Sequence, residues 1–131
     1  MVSNKKIIHA YGTVIIQESC MISILNEGIN VSTESYQILT TIAQKQFKEK
    51  NFVYISLRKK AYSVNPLIYP NMSNIKNLVG FAVVYSNTTI IDNTEVEKLF
   101  IDLPFQVFNN LNSAIKWGNK TAYLPKIKGI N

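Results

Sequence analysis

Apolar residues fall in nearly unbroken runs along the chain, most clearly Val14–Ile16, Met21–Leu25, Phe52–Leu57 and Val79–Tyr85. Valine, isoleucine and aromatic residues dominate them, a composition that fits a pleated surface. Runs without polar alternation predict strands covered on both faces. "KKIIHA" and "TVIIQES" read as strands joined at Tyr11-Gly12, and "MISILNEG" as a third. The second and third are expected to pair as a hairpin through Ser19-Cys20, before Gly28 interrupts the pattern.

The period then changes. Tyr36, Leu39, Ala43 and Phe47 recur at spacings of three and four, widened by Ile38 and Ile42, which predicts an amphipathic helix over Thr33–Lys50. Ser32 supplies an N-cap, Glu34 stands in the first turn, and Lys48 and Lys50 close the last, in agreement with the helix dipole. Phe52–Leu57 is the next strand. Asn65-Pro66 signals a further helix start, interrupted by Pro70 and continued through Ile75. Val79–Tyr85 is a strand, "TEVEKLFID" a helix stopped before Pro104, and "FQVF" a short strand. Asn110 caps a last helix with Leu111, Ala114 and Ile115 inward, and from Asn119 an irregular basic tail is expected.

This order, β-β-β-α-β-α-β-α-β-α, predicts an α/β single domain over residues 1–131, its core spanning 5–118 and its basic tail 119–131. Its layout is a mixed sheet of about five strands with an N-terminal antiparallel hairpin and about four helices.

Composition narrows the function classes. With 47% hydrophobic and 17% charged residues the chain is globular, and no apolar run reaches the ~20 residues of a membrane span. One cysteine, Cys20, excludes an internal disulfide and fits a reducing, cytoplasmic compartment. The net charge of +6 is carried by Lys45–Lys60 and Lys116–Lys128, but only one arginine is present. Arginine is the residue of bidentate phosphate and guanine contacts, so its scarcity argues against nucleic-acid readout.

Catalytic constellations are sparse. Five isolated glycines make no phosphate cradle. His9 has no G-x-S-x-G elbow to serve, and Cys20 with His9 offers too few ligands for zinc. No cofactor and no metal are expected. Glu95 and Glu97 are two residues apart on a helix, point to different faces, and are expected to be solvated.

One segment stands out. "LRKKAYSVNP" leaves the carboxyl end of a central strand and opens a helix, at the edge where open α/β sheets collect ligands. Arg58, Lys59, Lys60, Tyr62, Ser63 and Asn65, with Tyr69 beside them, are the candidate ligand- or partner-binding residues.

The hairpin together with "INVSTESYQ", "FVYISLRKKAYSVNP", "IKNLVGFAVVYS" and "PFQVFNNLNSAIKWG" resembles the SpoIIAA-like family of STAS-type domains over residues 13–118. The resemblance implies a mixed sheet wrapped by helices, related to anti-sigma-factor antagonists and to lipid-exchange CRAL-TRIO domains. It implies a non-enzymatic binding or regulatory module with a protein partner, or alternatively a small carrier of an apolar, lipid-like ligand; a homodimer is compatible with either. The antagonists are switched by phosphorylation of a serine in a D-S-[SA]-G motif. Ser63 falls in the comparable loop, without the preceding aspartate and following glycine, and is the candidate phosphorylation site.

Overall fold

The computed structural model describes residues 4–59, 63–64, 71–72, 75–85 and 94–124. The chain opens with three antiparallel strands, β1 (Lys5–His9), β2 (Gly12–Ile16) and β3 (Cys20–Leu25). The β1–β2 connection depends on Gly12, where an added Cβ would lie 2.2 Å from the Ile24 carbonyl oxygen on β3. Cys20 is already in β3 and its main-chain carbonyl accepts from Gln17 N, so the turn lies just before it rather than through it.

A two-residue strand β4 (Asn30–Val31) precedes helix α1 (Thr33–Phe47). Ser32 is its N-cap, and the cap's backbone N–H donates to Ser35 Oγ at 2.8 Å. Leu39, Ala43 and Phe47 are buried, as the three-and-four spacing predicts, with Ile38 and Ile42 half-buried at the margin. The helix stops at Phe47 instead of Lys50 because Lys48 turns to φ 54°.

β5 (Phe52–Arg58) is buried along its whole length, and Val53 and Ile55 are fully enclosed. Each such side chain contributes on the order of 1.5–3 kcal/mol by leaving water. β6 (Ser63–Val64), β7 (Leu78–Tyr85), α2 (Thr94–Phe100), β8 (Phe105–Phe108) and α3 (Leu111–Ala122) complete the described elements.

The main sheet has six strands in the order β1-β2-β3-β5-β7-β8, with β3, β5, β7 and β8 parallel. β4 and β6 form a separate parallel pair, Asn30 opposite Ser63 and Val31 opposite Val64. The α/β class and the mixed sheet led by an antiparallel hairpin are as the sequence predicts. The strand count differs: all six strands of the predicted order join the main sheet, where about five were expected, and β4 and β6 are too short to leave a periodic signal. Three helices have their bounds among the described residues; of the one expected from Asn65-Pro66 through Ile75 only part is described, and Asn71–Met72 there are helical.

The sheet separates two apolar layers. On one face Met21, Phe52, Tyr54, Phe81 and Val83 pack with Leu39, Ala43 and Phe47 of α1 and with Ile101 and Leu103. On the other, Ile22, Val53, Ile55, Ala82 and Val84 pack with Ala114 of α3. Asn110 caps α3 by accepting Ser113 N–H at 2.8 Å. α3 continues to Ala122 with Thr121 buried, so the expected tail is helical through that point.

Candidate functional site

Strand alternation places Ser56 and Arg58 on the α1 side of β5, in register with Val83 and Tyr85 of β7, while Ser23 of β3 pairs with Ser56. Ser23, Ser56 and Arg58 are therefore polar groups in an apolar layer, near the carboxyl ends of the parallel strands. They are 1%, 3% and 3% exposed. α2 brings Glu97 over the same spot, 7% exposed.

Arg58 Nη1 and Nη2 donate to the two carboxylate oxygens of Glu97 at 2.5 and 2.6 Å, and Nε donates to Ser56 Oγ at 3.1 Å. This is the fork-to-fork geometry that guanidinium and carboxylate favour. One expectation is corrected here: Glu97 is not solvated, because the long side chain of Arg58 at the end of a buried strand reaches the carboxylate of the helix packed above it. The Ser23 hydroxyl is buried and has no hydrogen-bond partner among the described residues; a buried hydroxyl left unpaired costs roughly 1–3 kcal/mol.

Of the other sequence candidates, Lys59 follows Arg58 and is exposed. Ser63 lies in β6, its backbone paired with Asn30, so the loop after β5 comes back against the loop after β3. Lys60, Tyr62, Asn65 and Tyr69 lie outside the described residues. The structure thus brings Arg58 together with Ser56, Ser23 and Glu97, which were not sequence candidates. A serine at alternate positions of an otherwise apolar strand, "YISLR", was the available signal.

Nothing in this cluster pairs a nucleophile with a base. His9 stands in register with Gly12, two strands from β3, and its Nδ1 accepts the Tyr11 backbone N–H at 3.2 Å. Burial lowers its pKa below the ordinary imidazole value. At the opposite end of the sheet, burial pushes the Cys20 thiol up to about 12, which holds it as the unreactive thiol. Among the described residues no group of His, Cys, Asp and Glu side chains could hold a metal ion, and no helix is long and apolar enough to cross a membrane.

The apolar layer under α1 contains a crevice lined by Met21, Tyr36, Leu39, Phe52, Tyr54 and Met72, with a free volume of about 10 Å³. That is the room one water needs, far below a cavity for a lipid. The chain matches no family model, no curated protein and no solved structure in the comparisons made with each.

Proposed function

We propose that the protein is a binding or regulatory module of the STAS type, non-enzymatic, which takes a protein partner on the loops at the carboxyl edge of its parallel strands. The observation that carries this reading is the buried chain Ser56–Arg58–Glu97, with Ser23 in register beside Ser56, near the carboxyl ends of the parallel strands. Buried charge in an apolar layer costs free energy unless it is fully paired, and here the pair ties α2 to the carboxyl end of β5. Lys59 is an exposed cation at this end of β5, and a phosphate on Ser63, whose backbone pairs with Asn30, would add negative charge to the loops after β3 and β5. The small crevice under α1 gives the lipid-carrier alternative no support.

The test compares capture from a lysate of the source cells by the unaltered protein and by Lys59→Glu. A partner held by the first and lost by the second, at unchanged urea midpoint, supports the assignment. The same proteins held equally by both would overturn the placement of the site. Phosphate found at Ser63 by mass spectrometry after incubation with ATP and lysate would add the switch, and its absence would remove it.

A further inference from the structure

The two edges of the main sheet differ in charge. β1 carries Lys5 and Lys6, cations of the kind that keep an edge strand from pairing. β8, the opposite edge, reads Phe105-Gln106-Val107-Phe108 and carries none. Val107 is 44% exposed there.

The ladder to β7 fixes which main-chain groups of β8 face outward. Phe81 N–H donates to Pro104 O at 2.9 Å, and Phe81 stands opposite Phe105. Residues of a parallel ladder alternate in direction, so Pro104, Gln106 and Phe108 turn their groups towards β7. Phe105 and Val107 turn theirs away. Two N–H and two C=O groups therefore lie on the outer side of β8, and among the described residues no strand pairs with them. They are placed symmetrically about Gln106.

That symmetry selects the occupant. In an antiparallel pair with a second β8, Phe105 opposes Val107 of the copy, and Val107 opposes its Phe105. Both are hydrogen-bonded pairs, so every outward group of both strands finds a partner. On the α1 face each Phe105 then meets a Val107, an aromatic and β-branched pair that sheets favour. On the α3 face Gln106 meets Gln106 of the copy across the two-fold axis. Joining β8 to β1 of another copy would instead build an open chain of sheets, and Lys5 and Lys6 stand against it. The net charge of +6 does not oppose the closed pairing. α3 rests on β5 and β7, so α3 and its copy lie about 20 Å apart, well beyond the ~10 Å screening length.

We infer that the chain forms a two-fold dimer by antiparallel pairing of β8, which joins the two main sheets into one. The contact is separate from the carboxyl-edge loops and stands or falls without them. So short a strand pair belongs with the small interfaces below about 1,200 Å², and its dissociation constant is on the order of 0.1 mM.

Sedimentation equilibrium of the full chain from about 10 μM to about 1 mM spans that value. The unaltered protein is expected to pass from monomer to dimer. Val107→Pro removes an N–H that faces outward and no bond to β7, a placement that proline tolerates on an edge strand. It should stay monomeric throughout, with an unchanged urea midpoint. Gln106→Lys sets like charges opposite one another and should weaken the dimer about tenfold or more; it decides the matter if the proline variant does not fold. Gln106→Cys brings two thiols to the closer, non-hydrogen-bonded pair, with Cα atoms about 4.5 Å apart. Oxidised glutathione should close that disulfide between copies, whereas Val107→Cys, which faces Phe105, should not crosslink. An unaltered protein still monomeric at about 1 mM, far above the expected constant, would overturn the proposal. So would a dimer that survives Val107→Pro or Gln106→Lys, or equal crosslinking of the two cysteine variants.

Discussion

Arg58 of β5 and Glu97 of α2, 39 residues apart, meet in a buried bidentate ion pair that reaches across the sheet's α1 face. Their side chains are only 4% and 9% exposed, so removing one partner strands a charge in an apolar layer. Arg58→Gln or Glu97→Gln is expected to cost roughly 3–5 kcal/mol, whereas replacing both together by Met and Leu should restore most of that loss. Urea unfolding of the three variants checks this. Lys59→Gln, one residue along and exposed, should stay within about 0.5 kcal/mol of the parent.

The ion pair also marks where the sequence stops being legible. Helix α1, the buried runs of β3, β5 and β7, and the capping of α3 by Asn110 are visible because periodicity and caps are local properties. The solvated reading of Glu97 follows from its place on a short charged helix, and nothing within "TEVEKLF" reveals that Arg58 will lie beneath it. A contact between residues 39 apart is a property of the tertiary fold. Much the same holds for β4 and β6, each of two residues, which are strands only because they find one another. The unpartnered Ser23 hydroxyl becomes informative only once its neighbours are known to be apolar.

The contact of Gly118 with Cys20 gives a second prediction. Gly118→Ala puts a methyl 2.7 Å from Cys20 Sγ and should destabilise by about 1–3 kcal/mol. Cys20→Ala in the same background removes the clashing sulfur and should recover part of the loss. The same burial keeps the thiol protonated: with its pKa raised from 9.0 to about 12, Cys20 should not react with a disulfide reagent at pH 8 until the protein unfolds. The stability that comes from holding this proton is fully present below pH 9 and is lost as pH rises from there towards 12. Thiol labelling with and without urea, and urea midpoints above pH 9, are the measurements.

His9 predicts the opposite limb of the pH profile. Burial lowers its pKa below the model-peptide value of 6.5, so the unfolded chain takes up the proton first as pH falls. The associated stability is present above pH 6.5 and is lost below it. Protonation also converts Nδ1, which accepts the Tyr11 N–H at 3.2 Å, into a donor and breaks the contact that closes the β1–β2 turn. NMR titration should place the His9 midpoint below 6.5, and His9→Leu should remove this component of the acid-side slope in stability.

Asn77 acts as a C-cap that local sequence does not reveal. It lies just before β7 and 27 residues beyond the end of the α1 connection, yet its Nδ2 donates to Lys48 O at 3.0 Å and Lys50 O at 2.8 Å. Those carbonyls are left over when α1 stops at Phe47, where Lys48 takes φ 54°, a conformation that favours glycine. Asn77→Ala should cost about 1–2 kcal/mol through the two lost bonds. Asn77→Asp should cost more, although it is nearly isosteric: it removes both donors and sets a negative charge against the negative end of the helix dipole. Lys48→Gly should act in the other direction, relieving the backbone and stabilising by about 1 kcal/mol. Urea midpoints in the order Lys48→Gly above parent, then Asn77→Ala, then Asn77→Asp would establish that Asn77 fixes the end of α1. An Asn77→Asp variant as stable as Asn77→Ala would show that the dipole has no part in it.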